Sequence, residues 1–219
     1  MEWKYYTPKF EGDYHFDAIK NSAWSGHLKF AYDLVRFMKP KQIVELGTHH
    51  GASFLSFCQA VKDENCSTIS FAVDTWKGDR HTGFYEETIY RNLKSDIEKY
   101  YPNLAKMLRM TFDDALNLFT DESIDILHID GYHTFEAVSH DFKTWLPKVS
   151  KNGIILFHDI AVRYSDFGVY KLWDMLKSQY PTIQFEHSSG LGILFPKGYH
   201  SQFEDVLQRE KEFQTYYQS

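Results

Sequence analysis

The chain has 219 residues, a formal net charge of −6, 43% hydrophobic and 25% charged residues, which is the composition of one globular domain with its own core. No Lys/Arg-rich run stands out, which argues against a nucleic-acid binder. Two cysteines, no signal-peptide pattern and no apolar stretch approaching the roughly 20 residues of a membrane span predict reduced thiols, no membrane span and a cytoplasmic location.

Short apolar segments alternate with longer amphipathic ones, which is typical of an α/β fold with a mainly parallel sheet. We expect an N-terminal helical or lid segment at 1–39, a main domain at 40–196 and a polar, helical tail at 197–219. The sequence leaves open whether the tail packs on the domain, mediates a homo-oligomer or links to a further domain.

Individual elements follow from the periodicity of the apolar residues. The predicted strands are Gln42–Leu46, Ile69–Val73, Met107–Thr111, Ile124–Ile129, Gly153–Phe157 and a closing antiparallel pair, Ile183–Glu186 and Gly192–Phe195. The predicted helices are Leu28–Met38, Ala52–Val61, Glu86–Tyr100, Ala115–Phe119 with Asp113 or Asp114 as its cap, Thr134–Leu146 and Val169–Gln179. Thr75–Tyr85 is rich in Gly, Asp and His and is expected to be a loop over a site.

A glycine turn joins the first strand to the next helix. Gly47 allows a sharp turn and close approach of a ligand, and Gly51 starts the helix, whose N-terminus offers free N–H groups. A dinucleotide site prefers three glycines around a pyrophosphate, whereas here two glycines follow an acid, Glu45. An acid attracts the sulfonium and ammonium groups of S-adenosylmethionine (SAM), so the segment favours SAM over NAD.

Asp74 ends the second strand, beside the glycine turn. An acid at this position can accept hydrogen bonds from both ribose hydroxyls of an adenosine. The alternative is an ordinary strand–turn–helix unit with incidental acids. Glu45 and Asp74 at the carboxyl ends of adjacent strands, where open α/β sheets bind ligands, favour the cofactor site.

Four motifs together resemble class I SAM-dependent methyltransferases: Glu45–Gly51, Val73–Trp76, Leu127–His133 and Ile155–Asp159. The chain is most similar to a bacterial branch that includes the sugar O-methyltransferases of macrolide and aminocoumarin pathways, over roughly residues 40 to 195. The resemblance implies a Rossmann-like, seven-stranded, mostly parallel sheet with helices on both faces and an antiparallel last strand. It also implies a cofactor-binding set comprising Glu45, Gly47, Thr48, Gly51, Ser53, Asp74, Thr75, Trp76, Phe112, Asp113 and Asp130.

A metal site is implied by the same resemblance. Residues matching Asp130, His158 and Asp159 hold a divalent metal in the sugar methyltransferases, although the His158 position is usually a carboxylate there. If their strands are neighbours, the three side chains converge at one rim of the sheet, and such a set suits Mg²⁺ or Mn²⁺. Alternatively, His158 is structural and Asp130 contacts only the cofactor or a helix N-terminus.

His133 follows Asp130 in the turn before a helix. A hydroxyl must lose its proton to attack a methyl group, and a neutral imidazole can accept that proton. The resemblance also places a base here, so His133 and Asp130 are the candidate catalytic residues. The alternative for His133 is a loop histidine that caps the helix at Thr134. His128, inside an apolar strand, is expected to be a core histidine.

These observations predict a SAM-dependent O-methyltransferase that acts on a hydroxyl of a sugar, glycan or small natural product, with metal assistance. An NAD-dependent oxidoreductase and a non-catalytic SAM-binding module of a larger glycan-synthesis protein are the alternatives. The sequence does not name the acceptor, the metal or the oligomeric state.

Overall fold

The computed structural model describes residues 2–11 and 20–218, so the expected N-terminal segment 1–39 lies partly outside the described residues. A seven-stranded sheet forms the centre, in the order β5-β2-β1-β6-β7-β9-β8. The five strands from β5 to β7 are parallel, and β9 runs antiparallel between β7 and β8. The expected fold, including the closing antiparallel pair, is confirmed.

The strands are β1 Gln42–Leu46, β2 Ile69–Asp74, β3 Gly78–Asp79, β4 Gly83–Phe84, β5 Ala105–Arg109, β6 Ile124–Ile129, β7 Val149–His158, β8 Thr182–Phe185 and β9 Leu191–Leu194. The α-helices in the described ranges are α1 Leu28–Met38, α2 Ala52–Glu64, α3 Glu87–Tyr100, α4 Phe112–Ala115, α5 Phe135–Trp145, α6 Val169–Leu176, α7 Glu204–Gln208 and α8 Glu210–Tyr217. No helix among the described residues has the length and apolar character that crossing a membrane requires.

The strand β5 lies two residues earlier than predicted, and the following helix has a different cap. Ala105 pairs with Ser70 of β2, and the strand ends at Arg109. Thr111 is the N-cap of α4, since its hydroxyl oxygen accepts the Asp114 N–H at 3.1 Å. The cap prediction of Asp113 or Asp114 is therefore wrong, because Thr111 already satisfies the free amide of the first turn.

The segment Thr75–Tyr85 is a loop that carries a short antiparallel hairpin, β3–β4. Gly78 lies in the left-handed region with φ 74°, and a Cβ there would overlap the carbonyl oxygen of Gly83. Only glycine permits this close approach of the two backbones. The hairpin lies over the same edge of the sheet as the ends of the parallel strands.

The C-terminal tail packs on the domain, which was one of the alternatives left open. Phe213 and Tyr217 are buried in the core cluster that also contains Trp3 and Phe30. The Tyr217 hydroxyl donates to Asp33 at 2.6 Å and accepts from the Trp3 indole N–H at 2.8 Å. The tail thus joins the N-terminal segment to α1.

Candidate active site

A cavity of about 870 Å³ opens at the carboxyl ends of the parallel strands. This size lies within the roughly 300–1,000 Å³ of small-molecule sites. The loop after β1, the ends of β2, β6 and β7, the β3–β4 hairpin and residues 21–24 all line the cavity. It therefore lies where open α/β sheets bind their ligands.

Asp74 organises the glycine turn from within the cavity. Its Oδ2 accepts the backbone N–H of Thr48 at 2.9 Å and of His49 at 3.0 Å, and its Oδ1 accepts that of Trp76 at 2.7 Å. A carboxylate offers about four lone-pair sites, so roughly one remains for a ligand. The carboxylate can accept one ribose hydroxyl in this arrangement, rather than the two expected from the sequence.

The turn requires glycine at two positions for different reasons. Gly47 lines the cavity with φ 88°, and a Cβ there would overlap the Asp130 carbonyl oxygen, so the turn lies directly against the end of β6. Gly51 does not line the cavity. A Cβ on Gly51 would lie 2.6 Å from Leu93 Cδ1, so this glycine permits α2 to start against α3.

Glu45 lies beneath the cavity floor and does not line the cavity. It is fully buried, and its Oε2 accepts from Ser53 Oγ at 2.5 Å and lies 2.8 Å from His128 Nδ1. Strand alternation places Glu45 on the same face of the sheet as Ile43. Ser53 does line the cavity. Glu45 thus supports Ser53 from below rather than facing a ligand directly.

Two further residues expected at the cofactor lie elsewhere. Trp76 is 1% exposed, packs against Tyr90 and donates its indole N–H to the His49 carbonyl at 3.0 Å. Its φ of 52° turns the ring into the core. Asp113 points outward to His140, at 2.8 Å, whereas Phe112 and Thr75 line the cavity. Trp76 therefore supports the glycine turn, and Asp113 lies outside the cavity.

A carboxylate–histidine cluster lies at the ends of β6 and β7. Ile129 pairs with Phe157, so the residues that follow in each strand, Asp130 and His158, come together. His133 Nε2 lies 2.9 Å from Asp159 Oδ2 and 3.7 Å from Asp130 Oδ1. The φ of Asp159 is 61°, a left-handed conformation that Asp tolerates better than most residues.

The cluster differs from the predicted metal set in one residue. Asp130, His133 and Asp159 have ligand atoms that all lie within 4.8 Å of one another. His158 lies behind them, with Nδ1 3.3 Å from Asp130 Oδ1 and Nε2 3.0 Å from the Ser188 carbonyl oxygen. Because the Nε2–H donates a hydrogen bond to that carbonyl, His158 fits an orienting role better than that of a ligand.

The cluster balances its own charge. Burial lowers the pKa of His133, but hydrogen bonds to Asp130 and Asp159 outweigh it and raise that pKa to about 9. Burial likewise disfavours a charged His158, whereas Asp130 raises its pKa to about 10. Burial alone would raise the pKa of Asp130, but the two histidines hold it well below its usual range. The site therefore pairs two carboxylates with two imidazolium groups.

These donors fit a divalent metal ion. Two carboxylates and one imidazole nitrogen form a mixed oxygen–nitrogen set, which suits Mn²⁺ or another transition metal and is also compatible with Mg²⁺. Binding would require His133 to lose its Nε2 proton, because a protonated nitrogen cannot be a ligand.

Several cavity residues were not singled out from the sequence. Tyr132, Tyr164 and Phe167 line the cavity. The ring of Phe167 stacks 4.5 Å from that of His81, a residue of the loop that was expected to lie over a site. Tyr164 and Phe167 come from the loop after β7, and a loop that follows the carboxyl end of a parallel strand was the only sequence signal for them.

His49 and His50 both line the cavity, with ring centroids 4.1 Å apart. The φ of 50° at His49 bends the backbone and brings both rings to one side. Burial lowers the pKa of His49 to about 4, so this ring is neutral at pH 7. His128 is a core histidine, as expected, and is fully buried.

The comparisons with known proteins agree with this geometry. A family described as "Methyltransferase domain" matches residues 44–160. The chain belongs to this methyltransferase family. The match spans the glycine turn, Asp74 and the whole carboxylate–histidine cluster.

A curated relative of this methyltransferase domain is the protein y4gI of Sinorhizobium fredii. It is 45% identical over 175 residues, which cover 80% of this chain and 19% of that protein. The chain thus spans about a fifth of its relative, so the activity of a longer protein is not established by this match.

Solved structures show the same fold. The O-methyltransferase TomG from Streptomyces achromogenes, in complex with SAM, is 14% identical with a TM-score of 0.63, over 87% of this chain and 92% of that chain. The methyltransferase PaMTH1 from Podospora anserina, bound to S-adenosylhomocysteine, is 15% identical with a TM-score of 0.62, over 89% and 91%. The family match confirms the expectation of a methyltransferase, the solved structures confirm its fold, and the oxidoreductase alternative finds no support. The narrower sugar-methyltransferase branch stays a prediction.

Proposed function

We propose that this methyltransferase domain transfers the methyl group of SAM to a hydroxyl of a sugar, glycan or small natural product. The observation that carries the proposal is one cavity that joins an acid-anchored glycine turn to a carboxylate–histidine cluster. The first feature suits an adenosyl ligand, and the second suits deprotonation of a hydroxyl.

The cofactor side of the cavity would be formed by residues Gly47–His50 of the turn, Asp74, Thr75 and Phe112. Asp74 has room for one ribose hydroxyl, and the Phe112 side chain borders the cavity beside Gly131. Asp74 and Asp79 also line the cavity and lie outside the charge-balanced cluster, so their negative charge favours a cationic ligand. SAM supplies a methyl group that its sulfonium has already activated, so the protein mainly positions the two reactants.

The acceptor side would use His133 as the base. Because the pKa of His133 is raised to about 9, the ring must first lose its own Nε2 proton. The neutral Nε2 can then take the proton of an acceptor hydroxyl placed beside it, which is worth roughly 10²–10⁴ in rate. Asp159 and Asp130 stabilise the imidazolium that results, because both carboxylates face that nitrogen. A divalent ion bound by these carboxylates would stabilise the negative charge that develops on the acceptor oxygen.

The same geometry also favours a second role for His133, as a metal ligand. Its Nε2 belongs to the set of ligand atoms within 4.8 Å of one another. One nitrogen cannot bind a metal and accept the hydroxyl proton in the same step. The two roles therefore predict different phenotypes for one substitution.

His133→Gln tests the assignment by two separate measurements. As the base, His133 is required for turnover but not for metal binding, so methyl transfer from labelled SAM should fall by about 10²–10⁴ while Mn²⁺ affinity is retained. A fall in both would assign it as a ligand. Unchanged turnover would exclude both roles. The matched control is His140→Gln, the same exchange at an exposed site on α5.

A further inference from the structure

The two ring nitrogens of His133 have different partners. Nε2 faces the carboxylates, 2.9 Å from Asp159 Oδ2. Nδ1 faces the other way, 3.3 Å from Nδ1 of His81. A hydrogen bond between two ring nitrogens needs one donor and one acceptor, so the proton lies on one of the two.

The other partner of His81 decides which nitrogen donates. His81 Nε2 lies 2.7 Å from Asp166 Oδ1. An ionised carboxylate only accepts, so His81 Nε2 carries a proton. A neutral imidazole has a single N–H, which leaves His81 Nδ1 with a lone pair. His133 Nδ1 is therefore the donor, and Nε2 is the nitrogen with a lone pair to offer whenever the ring is neutral.

One loop holds this arrangement together. Phe167, next to Asp166, stacks on His81 at 4.5 Å and on His133 at 4.8 Å, with interplanar angles of 21° and 10°. The Gly168 N–H donates to the His133 carbonyl at 2.7 Å. The loop after β7 thus supplies the carboxylate on His81, the aromatic plate for both rings and a backbone tie to His133.

We propose that Asp166 and His81 are positioning residues that hold His133 with Nδ1–H on His81 and Nε2 facing Asp130 and Asp159. The role of His133 Nε2 in catalysis rests on the proposed function, whereas the tautomers of His81 and His133 do not depend on it. Second-sphere partners of this kind commonly change metal affinity by about 10–100-fold when they are removed.

The direct test is the ring ¹⁵N chemical shifts of the metal-free wild-type protein. The chain has 11 histidines, and the signals of His81 are identified by their loss in His81→Asn. We expect a protonated Nε2 and an unprotonated Nδ1 in His81. A His81 that is protonated on Nδ1 instead would overturn the proposal.

A matched pair of His81 variants tests whether losing the acceptor for His133 Nδ1–H impairs the cluster. His81→Asn keeps an amide oxygen at the position of Nδ1, whereas His81→Leu removes the acceptor. We expect His81→Leu to lower methyl transfer from labelled SAM by about 10–100-fold and His81→Asn to stay within about threefold of wild type. Equal turnover in His81→Leu and the wild type would contradict the positioning role. His140→Leu, at the exposed pair with Asp113, should leave turnover unchanged.

These results are separable from those on the proposed function. A protein that fails to bind SAM but shows the expected His81 tautomer contradicts only the proposed function. A protein that methylates a hydroxyl but shows the opposite tautomer contradicts only the positioning role.

Discussion

At the residue scale, Asp74 orders the backbone on both sides of it through its carboxylate. It fixes the glycine turn through two backbone N–H groups and its own following turn through a third. Hydrogen bonds to a charged acceptor are worth about 1.5–3 kcal/mol each. The proposed binding surface for the cofactor is therefore already ordered around this carboxylate.

Asp74→Asn should weaken SAM binding by about 10–100-fold, because an amide has one acceptor oxygen for three donors and offers none to the ligand. Isothermal titration calorimetry measures the change. Asp125→Asn is a matched control, since Asp125 Oδ2 also accepts two consecutive backbone N–H groups, of Lys41 and Gln42, at the opposite end of the sheet. Equal SAM affinity in Asp74→Asn and Asp125→Asn would refute the role of Asp74.

The pH dependence of metal binding separates the two roles of His133. The pKa of metal-free His133 is raised to about 9, so at neutral pH its Nε2 must release a proton before a metal can bind there. If His133 is a ligand, Mn²⁺ affinity, followed by electron paramagnetic resonance, should rise by up to about tenfold per pH unit between roughly pH 6.5 and 8.5.

His133→Gln should flatten this dependence, since the amide carries no such proton. A wild-type affinity that stays constant over the same pH range would show that no proton leaves His133 on binding. In that case a metal at Asp130 and Asp159 would not use this nitrogen.

At the scale of elements, the hydrogen bonds of Tyr217 to Asp33 and Trp3 join the C-terminal helix to α1 and to the N-terminal segment. Burial raises the pKa of Asp33 to about 7, although hydrogen bonds from Tyr217 and the Tyr6 N–H oppose the shift. The folded state thus holds this proton more tightly than the unfolded chain. The resulting stability is present at low pH and is lost as the pH rises from about 4 to about 7.

Tyr217→Phe should lower the free energy of unfolding by about 1–3 kcal/mol, and by more at pH 8.5 than at pH 5. The reason is that the donor lost at high pH serves an ionised, buried Asp33. Urea unfolding of the wild type and of Tyr217→Phe at each pH measures the loss in the free energy of unfolding. Tyr180→Phe is the control, at a half-buried tyrosine outside this network. A pH-independent cost in Tyr217→Phe would contradict the assignment.

Sequence patterns predicted elements well where apolar runs end at Gly or Asp. Gln42–Leu46 and Ile124–Ile129 have the predicted bounds. The strand Ala105–Arg109 was misplaced because it is an edge strand with exposed residues, so its apolar signal is weak.

Side-chain direction at the strand ends was the part that the sequence could not provide. The left-handed turns at Trp76 and Asp159 set where those side chains point. Periodicity carries no signal for such turns. Trp76 was expected at the cofactor but is buried in the core, and the metal set implied by the resemblance included His158 but not His133, whose Nε2 lies beside Asp159. Contacts between loops, such as His81 with Asp166, join residues far apart in sequence and are likewise absent from local patterns.

At the scale of the whole molecule, the sheet order explains why chemistry gathers at one edge. The strands β2, β1, β6 and β7 are consecutive neighbours in the sheet, so Asp74, the glycine turn, Asp130 and Asp159 all open into one cavity. The hairpin, the loop after β7 and residues 21–24 border that cavity from outside the sheet. The fold thus places a cofactor side and an acceptor side within reach of each other.

The most direct test of this account is calorimetric titration of the chain with SAM, with NAD as the comparison. We expect saturable binding of SAM at one site per chain, weakened in Asp74→Asn, and no binding of NAD, because the turn lacks the third glycine of a pyrophosphate site. Binding of NAD without any binding of SAM would contradict the assignment of this cavity as a SAM site.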